Sequence, residues 1–114
     1  MTILSVLYPT SKTKPFDHAY YDETHVPLIK EVYGPNGLLG VLVQKGVSAS
    51  DGGPAPFVAM IHMSFDSPEA MQACLASPRA DEVRADVAKF TKIKPVVQIS
   101  ERVSTAPIPA PAQD

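Results

Sequence analysis

Four short apolar runs and two longer segments of helical spacing follow one another along this chain, and few folds accept their order. Thr2 to Tyr8 alternates Ile3, Ser5 and Leu7 with Leu4, Val6 and Tyr8. Both sets are mostly apolar, as in a strand covered on both faces. Phe16-Asp17 then opens a helix, with Asp17 as N-cap and Phe16 as the apolar residue before it. His18, Tyr21, His25, Leu28, Ile29 and Val32 recur at spacings of three and four, which is one helical face. Gly34-Pro35-Asn36-Gly37 stops that helix. Leu38 to Lys45, LLGVLVQK, reads as the second strand and Phe57 to Phe65, FVAMIHMSF, as the third. Ser67 caps a second helix, Pro68 takes its first position and Glu69 meets its dipole. That helix reaches about Ala76, restarts at Ser77-Pro78 and runs to about Ala88. Val96 to Val103, VVQISERV, is the fourth strand.

The order is β-α-β-β-α-β. A right-handed split βαβ arrangement of these elements gives a four-stranded antiparallel sheet with both helices on one face, an α+β fold. Two helices leave the other face bare, and Ile3, Leu7, Val58, Met60 and Val96 fall on it. A lone chain would expose a large apolar patch. A second copy packed sheet to sheet removes it, so a symmetric homodimer is expected.

The chain has 114 residues, enough for one domain and not for two. Residues 1–103 form that domain. Residues 104–114, STAPIPAPAQD, have no periodic apolar face and are expected to be extended or disordered. Net charge is -2 and the charges are interspersed, so no nucleic-acid partner is expected. No apolar run approaches the ~20 residues that cross a bilayer, so no membrane span is expected. The first residues lack the basic and cleavage regions of a leader. The single cysteine, Cys74, has no partner for an internal disulfide and no basic neighbour, and it reads as a buried small hydrophobe. A cytoplasmic setting fits these features.

The stretch Tyr20 to Leu28, YYDETHVPL, carries the chemistry. Pro27 has no N–H, so the Glu23 carbonyl loses its helical partner. Val26 is pushed away from helical angles. A break near Thr24 is expected, with Pro27 in the first turn of a continuing helix. The break tilts His25 relative to the stripe, with Tyr21 one turn earlier. An imidazole moves a proton near pH 7, and a phenol donates to an oxyanion. The same spacing is also that of a core histidine bonded to a carbonyl or to water, and both readings stand. His18 is about 10.5 Å from His25 along the helix axis, too far to share a metal ion. Asp22 and His25 alone make no metal site. His62 is either a hydrogen-bonded interface histidine beside Ser64 and Gln98 or part of a pocket wall. Tyr8 and Phe65 are core residues or pocket walls. Phe90 packs where the second helix gives way to the last strand. There is no GxGxxG, P-loop, CxxC or nucleophile elbow, and no cofactor or metal is expected.

FDHAYYDETHVPLIKEVYGP, with Tyr20, Tyr21, His25, Pro27 and Leu28, resembles the first-helix signature of EthD-type proteins. FTKIKPVVQIS is similar to that family's final segment, and PAPFVAMIHMSFDSPEAM fits its middle. The resemblance spans Ile3 to about Val103. It implies a ferredoxin-like dimeric α+β barrel, and it implies that His25 lines a pocket. Proteins on that fold include lactone isomerases, polyketide cyclases, cofactor-free quinone-forming monooxygenases and haem-degrading enzymes, and the fold does not choose among them. The expectation is a homodimer that binds a small apolar, oxygen-bearing molecule between helices and sheet. His25 and Tyr21 would be its acid-base pair, and Tyr8, Leu28, Phe65, Phe90 and His62 its walls. The alternative is a non-catalytic binding or accessory protein of an oxidative pathway.

Overall fold

A computed structural model describes residues 1–111. Its strands are β1 (Thr2–Pro9), β2 (Gly40–Lys45), β3 (Phe57–Phe65) and β4 (Val96–Glu101). They form one antiparallel sheet in the order β2-β3-β1-β4. The helices are α1 (His18–Tyr20), α2 (Val26–Tyr33), α3 (Pro68–Leu75) and α4 (Ala80–Asp86). The period-two pattern of each strand sets its register. Ser5 stands opposite His62 on one side and Gln98 on the other, and Leu7 stands opposite Met60 and Val96.

The helices cover the face that carries Leu4, Tyr8, Ala59, Ile61, Met63 and Phe65. These join Ile29, Val32, Met71, Val83 and Phe90 in one core. Ile61 and Phe65 are wholly buried. Cys74 is buried, and its Sγ donates to the Tyr33 carbonyl at 3.7 Å. The opposite face carries Ile3, Leu7, Leu42, Met60 and Val96 around a polar centre, where Ser5 Oγ and His62 Nδ1 are 2.7 Å apart.

Asp17 caps the first helix as expected, its Oδ1 accepting the Tyr20 N–H at 3.0 Å. Ser67 caps α3 and accepts the Ala70 N–H at 3.0 Å. The expected break before Pro27 does not occur. Tyr21–His25 instead form a π-helical turn that joins α1 to α2, and the Val26 N–H donates to the Tyr21 carbonyl. Val26 keeps helical angles, φ −61 and ψ −47. The wider turn absorbs the proline with one looser ring of backbone bonding, at less cost than breaking the helix. It also changes which residues face inward. Tyr21, His25, Val26, Ile29 and Val32 are buried, whereas His18 stands half-exposed against Phe16. The second helical region is two helices, because Ser77 and Pro78 interrupt it. The Ala80 N–H then restarts the bonding on the Ser77 carbonyl. After Glu101 the chain has no regular structure through Pro111 and is exposed; the rest of the tail lies outside the described residues.

Candidate functional site

The π turn and α4 together build a buried acid-histidine pair. His25 is 3% exposed, and its Nδ1 lies 2.9 Å from Asp86 Oδ2. The Tyr20 hydroxyl donates to Asp86 Oδ1 at 2.7 Å, and Lys89 Nζ stands 4.0 Å from the same oxygen. Asp86 sits on the buried stripe of its helix, in step with Ala80, Val83 and Phe90. Burial works to raise the Asp86 carboxyl. The bonds from His25 and Tyr20, with the His25 and Lys89 charges, outweigh it and hold the group below the usual carboxylate range. Asp86 is therefore ionised and accepts only, so His25 Nδ1 carries the proton. Burial lowers the His25 pKa below its ordinary value, against the pull of Asp86. The ring is neutral at pH 7.

Among the described residues no buried side-chain nitrogen or oxygen lacks a hydrogen bond. His25 Nε2 and the Tyr8 and Tyr21 hydroxyls make none, so they reach open space. That space is a cleft of about 330 Å³ between helices and sheet, walled by Tyr8, Tyr21, His25, Ile29, Tyr33 and Val97. The Tyr21 and His25 rings are 4.9 Å apart, and Phe90 packs on both, 4.7 Å from His25 and 4.9 Å from Tyr21. Burial pushes the Tyr8 phenol up to about 12 and the Tyr21 phenol higher still, so both remain donors across the working pH range. The cleft offers a neutral base and at least two phenolic donors in largely apolar walls, whose one charged residue, Arg84, is paired with Asp81.

Tyr8, Tyr21 and His25 line this cleft. Phe90 buttresses His25, and Phe65 lies in the core beneath, wholly buried. Leu28 faces a separate hollow with Glu82 and Lys89. His62 is on the far face of the sheet, beside Ser5. Asp86 and Tyr33 belong to the site and escaped the sequence reading, which named Tyr20 in the family signature but gave it no role. The signal for Asp86 was a carboxylate in register with an apolar stripe. A hollow of about 560 Å³ at Thr13–Asp17 and Ala88–Lys92 is larger than the cleft but lacks the acid-histidine pair. Among the described residues no group of three or more histidines, cysteines or carboxylates could hold a metal ion, and no helix is long and apolar enough to cross a membrane.

The chain is similar to several solved structures. An EthD-like protein from Ralstonia eutropha is 37% identical, with 92% of this chain and 94% of that one aligned at a TM-score of 0.83. An ethyl tert-butyl ether degradation (EthD) family protein from Bacillus halodurans is 25% identical, with 90% and 99% aligned at 0.71. A protein from Deinococcus radiodurans, described as a candidate antibiotic biosynthesis monooxygenase, shares the ferredoxin-like fold at 16% identity. There 96% and 100% are aligned, at 0.63. No curated protein matches the chain. The EthD domain model matches residues 10–94, which hold the π turn, His25 and Asp86. With that match and the Ralstonia relative, the chain belongs to the EthD family.

Proposed function

We propose that this protein is a homodimer that binds an uncharged, oxygen-bearing apolar molecule in the helix-sheet cleft and moves a proton on it with His25. The observation that carries this reading is the His25 imidazole in the cleft wall, held through Nδ1 by Asp86 and with Nε2 free of any protein hydrogen bond, while burial favours its neutral form. A base in that state takes a proton from carbon or oxygen next to a carbonyl. The charge that develops passes to the substrate oxygen, where the Tyr21 hydroxyl donates to it. Returning the proton to another atom is isomerisation, attack of the enolate on a second carbonyl is cyclisation, and its reaction with dioxygen is oxygenation. All three share the first step, and none of the three needs a cofactor for it. The apolar walls favour a substrate without charge. Tyr8 and Tyr21 line its site, and Phe90 packs against the imidazole.

The dimer is supported by the surface that the helices leave open. Leu42 and Val96 on the bare face are 55% and 52% exposed, and Val97 and Ile99 on β4 are 56% and 58% exposed. Val97 and Ile99 stand on the helix side of β4 yet beyond the reach of the helices, Val96 stands on the bare face beside Gln98 and Ser100, and Val97 also borders the cleft. A second chain over β4 would bury this strand and narrow the mouth of the site. His62, on the bare face, would then meet the partner.

His25→Ala and Asp86→Asn test the reading with candidate lactones, quinones and polyketides. Both should lower turnover by about 10²-fold or more, since general acid-base catalysis supplies that much. A substrate turned over equally well by His25→Ala would remove the proton role. Ligand binding without any turnover would then leave the accessory-protein alternative.

A further inference from the structure

Five of the seven lysines in the chain lie in two short segments, at 12–14 and 89–94. The fold ties these segments together. Phe16 pairs with Thr91 in an isolated antiparallel bridge, and the Asp17 N–H donates to the Phe90 carbonyl at 2.9 Å. Thr91 Oγ1 donates to the Pro15 carbonyl at 2.8 Å and accepts the Ile93 N–H at 3.1 Å. Between them lies the hollow of about 560 Å³. Lys14, Lys89 and Lys92 line it, with Lys12 and Lys94 within two residues of the wall. The carboxylate among its lining residues is Asp17, whose Oδ1 already accepts the Tyr20 N–H. The rest of its lining is largely apolar, from Pro15, Phe16, Ala88 and Phe90. In a chain of net charge -2, a rim of lysines over an apolar lining is a local reversal of sign.

We propose that this hollow is a second binding site, for a small molecule that carries a phosphate or a carboxylate on a flat apolar body. The volume is that of an ordinary small-molecule pocket, within about 300–1,000 Å³. The lysines supply the charge that an anion needs, and the field they raise over a low-dielectric lining concentrates anions there. The half-buried Phe16 ring, held edge-to-face on the buried Phe90 with centroids 5.3 Å apart, gives a planar body an aromatic surface to pack on. The walls are set by backbone bonds, so little ordering is needed on binding. This site is separate from the cleft and shares no lining residue with it, but one contact joins the two. Phe90 touches the hollow on one side, and its ring is 4.7 Å from His25 on the other. An occupant of the hollow therefore presses on the residue that buttresses the imidazole.

The chain has no tryptophan, so a naphthyl probe can be followed by its own fluorescence. The full chain is titrated with 1-naphthyl phosphate, 1-naphthoate, 1-naphthol and inorganic phosphate. Saturable binding is expected for at least one of the two naphthyl anions, weakened by added salt. Neutral naphthol and inorganic phosphate should bind at least about tenfold more weakly, since each lacks one half of the match. Preference between the two naphthyl anions assigns the site to phosphate esters or to carboxylic acids. The triple variant Lys14→Gln, Lys89→Gln, Lys92→Gln changes exposed side chains only and should keep the wild-type circular dichroism. It should weaken the anion about tenfold or more, since three of the charges that face it are removed together. Amide shifts of Phe16 and Thr91 on adding the anion place it in the hollow. Absence of saturable binding, or a triple variant that binds as the wild type does, overturns the proposal.

Discussion

At the scale of single residues, one carboxylate decides the protonation of the site. Asp86 takes a bond from His25 and a bond from Tyr20. The signs of the two shifts give a test that needs no substrate. A group whose folded pKa is depressed contributes stability above its unfolded pKa and loses it as pH falls. His25 lies below 6.5 and Asp86 below 3.8, so both erode stability towards acid, His25 first. Urea titrations should show stability falling as pH drops below about 6.5. In His25→Gln this first loss should shrink, leaving what His18 contributes, since burial lowers its pKa also. If stability instead rose on the way from pH 7 to 6, the carboxylate would be winning over burial and His25 would be charged. Tyr20→Phe supplies the complementary result. Without the phenol's bond, Asp86 binds its remaining donor more strongly, and the His25 imidazole should titrate at higher pH by NMR. An unchanged His25 titration would mean that Tyr20 only packs.

At the scale of elements, the caps and the strands were legible and the π turn was not. Asp17 and Ser67 cap their helices because their short oxygens reach the free N–H groups of the first turn. Ser67→Ala should cost about 1 kcal/mol in chemical denaturation. A loss of zero would mean that water replaces the cap. The period-two runs became strands in the register that their apolar faces demand. Proline chemistry did point to an irregularity between Tyr20 and Leu28. It did not distinguish a break from a wider turn, because packing of Tyr21 and His25 against Phe90 decides that, and Phe90 is far along the chain. Asp86 was missed for a related reason. An aspartate in a helix reads as a surface charge until its partner, 61 residues away, is known. Tyr33 also lines the cleft, and nothing in its local sequence separates it from any other buried aromatic near a helix end.

At the scale of the whole molecule, helices cover one face of the sheet and stop short of β4. Core residues such as Phe65 hold the monomer together, and Phe65→Ala should cost about 3–5 kcal/mol. Such a variant says nothing about assembly, because it destabilises each chain alone. Assembly is read where apolar side chains stand in the open. Val96 and Leu42 on the bare face, with Val97 and Ile99 on the edge strand, are each more than half exposed. Stable interfaces bury ~800 Å² per partner around an apolar centre. Replacing Leu42 and Val96 together by lysine puts like charges on the bare face of both copies and leaves the helix-covered core untouched. Sedimentation should then turn a dimer into folded monomers, with far-ultraviolet circular dichroism unchanged. Because Val97 borders the cleft, the monomers should also bind cleft ligands more weakly, although neither substituted residue lines it. A wild-type chain that sediments as a folded monomer at micromolar concentration would show that the polar centre around Ser5 and His62 is enough to keep the face in water. The cleft would then open to solvent along β4, and catalysis in it would have to proceed without a partner's cover.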